Sequence, residues 1–190
     1  MQPRVPEPTV APDGAAAVTA VVLVGMMGAG KSTVGELLAG RLGWRFIDLD
    51  EEIERACGLS VPELFAAQGE AAFRALEREL TARIACSRHF VLAPGGGWIL
   101  DPANPAAMPP GTRFVWLRVT PQTAVQRIGA DRRERPLLRG ADPVERATRI
   151  ASEREPLYRA LGVAFETDGR EPSAVAAEIA DWIALRNRAS

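Results

Sequence analysis

The sequence predicts an α/β fold, a three-layer α/β/α arrangement with a five-stranded parallel sheet, and three observations carry that reading. Short apolar, β-branched runs alternate with helix-periodic segments along the chain, as expected for strands buried on both faces between helices. The connections between successive runs are long enough for the crossovers that parallel strands need. The first run leads straight into a glycine-rich turn and then a helix.

Residues 1–17 are rich in Pro, Ala and Gly and lack apolar periodicity, so they read as a disordered leader. Residues 18–187 form a single domain, since 190 residues fill one core but not two of ordinary size. Residues 18–24 (VTAVVLV) are the first strand. In Lys31–Leu42 the apolar residues Val34, Leu37, Leu38 and Leu42 recur at helical spacing. Residues 45–49 (RFIDL) make the second strand, and helices follow at 51–56, 61–67 and 70–85. Residues 90–93 are a third strand, 113–119 (RFVWLRV) a fourth and 163–167 a fifth. Helices at 123–128, 143–161 and 173–186 lie between or after these. Residues 131–142 (DRRERPLLRGAD) are charged and punctuated by Pro and Gly, the composition of a mobile lid.

Composition narrows the function classes. Hydrophobic residues are 47%, charged residues 25% and the formal net charge is −1, which speaks against a nucleic-acid binder. Cys57 and Cys86 stand in separate segments and suit a reduced, cytoplasmic setting. The sequence has neither a membrane-length apolar run nor a secretory leader.

Gly25-Met26-Met27-Gly28-Ala29-Gly30-Lys31-Ser32 satisfies G-x-x-x-x-G-K-[ST]. Successive backbone N–H groups of such a loop, with the helix N-terminus behind them, cradle phosphate oxygens. Lys31, the chain's single lysine, reaches the β- and γ-phosphates, and the Ser32 hydroxyl can ligate Mg²⁺. Asp48 and Asp50 sit at the carboxyl end of the second strand. Strand alternation would turn both carboxylates into one cleft, one toward Mg²⁺ and one toward an acceptor hydroxyl. Capping of the next helix is the other reading for one of them.

Together the motifs resemble the shikimate kinase family over about residues 21–182. They are, in order, GMMGAGKSTVG (25–35), FIDLDEEIE (46–54), GLSVPELFAAQGEAAFRALE (58–77), VLAPGGG (91–97), RPLL (135–138) and REPLY (154–158). The resemblance implies a P-loop kinase fold like that of nucleoside monophosphate kinases, with a substrate-binding segment at about 51–85 and a lid at about 130–142. It implies a monomer that transfers the γ-phosphoryl group of MgATP to the 3-hydroxyl of shikimate. Gly28, Ala29, Gly30, Lys31, Ser32 and Thr33 match the triphosphate loop, with Ser32 on the metal and Asp48 near it through water. Asp50 matches the carboxylate that binds the acceptor hydroxyls and serves as base. Arg74 and Arg154 match the arginines that hold the shikimate carboxylate, and Gly95, Gly96 and Gly97 the glycine run of the acceptor pocket. Arg135 matches the lid arginine, Arg127 an arginine flanking adenine, and Arg170 with Pro172 the adenine-side loop.

Two arginines gripping one carboxylate fix its orientation. Arg74 can equally pair with Glu70 and Glu77 at i−4 and i+3, and Glu77 can position Arg74 for a ligand. Arg132 and Arg133 read as a solvated basic loop, His89 as a surface or packing residue, and Trp116 as core. Pro94 and Trp98 flank the glycine run where the family commonly has small residues. A tryptophan there would narrow the pocket or stack on a different acceptor. That leaves two alternatives to shikimate phosphorylation: a kinase of another small hydroxy-acid such as gluconate, and a non-catalytic sensor that binds nucleotide and acid.

Overall fold

A computed structural model describes residues 17–130 and 142–188. The proposed lid at about 130–142, Arg135 with it, and most of the leader lie outside the described residues. Strands β1 (Ala20–Val24), β2 (Arg45–Asp48), β3 (Phe90–Ala93), β4 (Thr112–Arg118) and β5 (Val163–Glu166) form one sheet in the order β2-β3-β1-β4-β5. Every pairing is parallel, as the five-strand reading requires. The chain leaves β1 toward one edge and β3 toward the other. The carboxyl ends of these neighbouring strands therefore open into a crevice, the usual ligand position in open α/β sheets.

Helices α1 (Lys31–Leu42), α2 (Leu49–Cys57), α3 (Val61–Ala85), α4 (Ala103–Ala106), α5 (Pro121–Ala130), α6 (Pro143–Leu161) and α7 (Pro172–Arg188) surround the sheet. Alternation along β1 divides the core in two. Val21 and Leu23 pack with Leu38, Leu117, Ile179 and Ile183 on one face. Ala20, Val22 and Val24 pack with Ile53, Phe73, Leu92 and Trp98 on the other. All five β1 residues are buried, and each buried Val or Leu contributes about 1.5–3 kcal/mol. The apolar run of β1 thus reflects two covered faces.

The helices expected at 61–67 and 70–85 are one element with a break at Gly69 (φ 80°, ψ 174°), a conformation essentially reserved for glycine. Ser60 caps this helix and exchanges hydrogen bonds with Glu63 in a capping box. The sequence reading omitted α4 and the short 3₁₀ turn at Trp98–Leu100. Both are too short to show an apolar period.

Candidate active site

A cavity of about 520 Å³ opens at the carboxyl ends of β1, β2 and β3, within the range of small-molecule sites. Its wall includes Gly28, Ala29, Gly30, Lys31, Ser32 and Thr33 from the phosphate loop and the start of α1. Asp48, Asp50, Gly95, Gly96, Arg127 and Arg170 also line it. Lys31 Nζ donates to the carbonyls of Gly25 (2.9 Å) and Met26 (3.0 Å). These contacts keep the ammonium over the loop.

The acidic pair reaches the cavity by a different route from the one the sequence suggested. β2 ends at Asp48, and Asp50 already belongs to the first turn of α2, so strand alternation does not place the two carboxylates together. Asp48 is the N-cap. Its Oδ1 accepts from the backbone N–H of Asp50 (3.0 Å) and Glu51 (3.5 Å), while its Oδ2 accepts from the Ser32 hydroxyl (2.6 Å). The capping and metal-side readings of Asp48 are therefore compatible. The capped turn carries Asp50 into the cleft, where its carboxylate lies against Gly95.

Gly95, Gly96 and Gly97 each face one of the other proposed acceptor residues. A Cβ at Gly95 would lie 3.1 Å from Asp50 Oδ1, and one at Gly96 would lie 3.4 Å from Arg154 Nη1. At Gly97 a Cβ would come within 2.5 Å of Arg74 Nη2, an overlap no side chain could make without displacing the guanidinium. Arg74, Arg154 and Gly97 are not on the cavity wall itself; the two guanidinium groups lie against the glycine run. Gly97→Ala should therefore raise KM for the acid acceptor about tenfold, roughly 1.4 kcal/mol, and leave KM for nucleotide within twofold. Steady-state kinetics with each substrate varied in turn would check it, and an unchanged acceptor KM would contradict the close approach.

Arg74 makes both pairings expected on the helix surface. Its Nη1 donates to Glu77 Oε2 (2.7 Å), and Nε and Nη2 contact Glu70 Oε1 (each 3.3 Å). Glu77 is fully buried and its Oε1 has no hydrogen-bond partner among the described residues. Burial pushes the Glu77 carboxyl above the usual range despite the opposing pull of Arg74. Glu77 thus anchors Arg74 from the protein interior.

Arg154 on α6 is buried, and its Nη1 finds no hydrogen-bond partner among the described residues. A buried guanidinium with an unused donor is costly unless an anion meets it. Arg127 donates to Gly28 O (3.4 Å), Thr167 Oγ1 (3.1 Å) and Thr167 O (2.5 Å), tying the phosphate loop to the end of β5. Arg170 pairs with Glu178 at 2.7 Å and donates to Glu166 O. Thr167 escaped the sequence reading because its role depends on Arg127, 40 residues away.

Trp98 is corrected outright. It is fully buried, its indole N–H donates to Thr81 Oγ1 (2.9 Å) on α3, and Asn104 Nδ2 donates to its carbonyl (2.9 Å). It neither lines nor narrows the cavity, whereas Pro94 does line it. His89 is exposed and tilts against Trp44 at 5.4 Å, and Trp116 is core.

The family model described as shikimate kinase matches residues 27–184. A shikimate kinase of Moorella thermoacetica is 46% identical over 159 residues, covering 84% of this chain and 91% of that protein. The chain belongs to the shikimate kinase family. Among solved structures, a shikimate kinase from Acinetobacter baumannii in complex with shikimate superposes with a TM-score of 0.83 at 34% identity, over 88% of this chain and 94% of that one. A gluconokinase from Sinorhizobium meliloti 1021 reaches a TM-score of 0.53 at 20% identity, covering 88% and 96%, a likeness of fold alone. Shikimate kinase membership accounts for the order of motifs and the five-stranded parallel sheet. Among the described residues no helix is long and apolar enough to cross a membrane.

Proposed function

We propose that this protein is a shikimate kinase, transferring the γ-phosphoryl group of MgATP to the 3-hydroxyl of shikimate to give shikimate 3-phosphate and ADP, in aromatic amino-acid biosynthesis. The observation that carries the reading is the glycine run. Asp50, Arg154 and Arg74 meet Gly95, Gly96 and Gly97 one for one, beside a complete phosphate loop. Arg154 and Arg74 hold the acceptor carboxylate from two sides, and Asp50 binds the ring hydroxyls. As the 3-hydroxyl oxygen bonds to the γ-phosphorus, the bond to the β–γ bridging oxygen breaks and ADP carries that electron pair away. Asp50 takes the hydroxyl proton.

Lys31 and the loop N–H groups hold the donor phosphates in line, so the protein's contribution is positioning and charge neutralisation. Arg127 and Arg170 flank the nucleoside end, and Arg135, outside the described residues, keeps the lid-arginine role that the resemblance implies. Ser32 Oγ would hold Mg²⁺ as a hard oxygen donor, and Asp48, whose Oδ2 accepts from the Ser32 hydroxyl at 2.6 Å, would stand near the ion through water. When bound, Mg²⁺ neutralises charge developing on the phosphates. The protein works as a cytoplasmic monomer.

A coupled ADP-release assay with shikimate, gluconate and related hydroxy-acids tests the assignment. Turnover of shikimate supports it, and turnover of gluconate alone overturns it. Binding of ATP and shikimate without phosphate transfer would make the protein a sensor. Arg74→Ala in the same assay should raise KM for shikimate about 30-fold, near 2 kcal/mol, with ATP affinity retained. Equal loss for both substrates would remove Arg74 as a carboxylate ligand.

A further inference from the structure

The glycine run must be held in place for its three contacts to work, and one side chain does so from behind. Tyr158 is buried on α6, and its hydroxyl donates to the Gly96 carbonyl at 3.0 Å. Arg154 lies four residues earlier on the same helix, so the two side chains share one face. Gly96 is where the two halves of the site meet. A Cβ there would lie 3.4 Å from Arg154 Nη1, 3.4 Å from Met27 N and 3.5 Å from Gly25 O. The donor loop and an acceptor arginine therefore touch the same residue. Trp116 of β4 stacks on Tyr158 with ring centres 6.0 Å apart, which fixes the phenol ring against the sheet.

We infer that Tyr158 is a positioning residue for phosphoryl transfer. Its hydrogen bond to Gly96 sets the spacing between the phosphate loop and the arginine that holds the acceptor carboxylate. The inference rests on the shikimate kinase reading above and extends it to a residue that touches neither substrate. Burial pushes the Tyr158 phenol up, and the neighbouring Arg154 guanidinium pulls it back only in part. The phenol stays protonated through the neutral range and remains a donor. Without that donor the half-buried Gly96 carbonyl loses its Tyr158 partner, and the glycine run can shift relative to Arg154.

The test is Tyr158→Phe, which keeps the ring and its stacking, beside a rescue protein carrying 4-aminophenylalanine at position 158 to restore a donor. Tyr158→Phe should raise KM for shikimate about tenfold, the loss of about 1.4 kcal/mol. KM for ATP should stay within twofold, and the amino variant should recover most of the loss. A purely structural role would lower the active fraction instead and leave both KM values alone. An unchanged shikimate KM, parallel changes for both substrates, or no recovery with the amino group would each overturn the inference. A wild-type protein that turns over no shikimate would overturn the functional reading itself, and the wild-type control separates that outcome from failure at Tyr158.

Discussion

Lys31→Met should lower kcat by about 10³-fold or more, while shikimate affinity and the folded structure are retained. The size follows from where the charge acts. A cation aimed at the transferring phosphoryl group is of the kind that contributes about 10³–10⁵ in rate. No second lysine exists in the chain to substitute for it. Methionine nearly matches the length and bulk of lysine and removes only the charge and its donors. The carbonyls of Gly25 and Met26 that now accept from Nζ belong to buried residues, so the stability cost should be about 1–3 kcal/mol. Single-turnover ADP release measures the chemical step, and calorimetry with shikimate reads the acceptor half. Residual kcat within tenfold of wild type would mean that the loop backbone alone supplies the neutralisation.

Much of the fold was legible in the sequence because it rests on local signals. The β3 and α6 boundaries agree with the apolar run and helical period that predicted them. The phosphate loop was legible for the same reason, since its fixed residues are contiguous. Asp50 was placed in the right cleft by the wrong argument. The sequence does not distinguish a strand that continues to Leu49 from one that ends in an N-cap at Asp48, and only the hydrogen bonds from Asp48 Oδ1 decide it. Trp98 was misread because its partner, Thr81, comes from α3, a tertiary contact with no local mark. Tyr158 went unrecognised as part of the site for a related reason: its partner is a backbone carbonyl 62 residues away. The roles that depended on one segment were readable, and those that depended on two segments meeting were not.

Arg154→Met should raise KM for shikimate by about 10²–10³-fold and yet leave the free protein as stable as wild type or more so. The two effects share one cause. The Arg154 side chain is 9% exposed, and Nη1 has no hydrogen-bond partner among the described residues. Burying a guanidinium costs several kcal/mol, which is recovered only when an anion and its hydrogen bonds arrive. In the free protein that cost is not fully offset; with the acceptor carboxylate bound, it is. A methionine of similar volume removes the buried charge and keeps the packing, a type of exchange that is often neutral or stabilising by about 1–4 kcal/mol. For a domain of this size each kcal/mol moves Tm by about 2–4 °C, so thermal unfolding without ligand should show an equal or higher midpoint for the variant. Added shikimate should then raise the wild-type midpoint and leave that of the variant unmoved, because ligand stabilisation scales with affinity. A lower ligand-free midpoint together with a preserved shikimate shift would show that Arg154 serves the fold and not the acceptor. The opposite pattern would mark it as a residue whose strain is kept for the ligand.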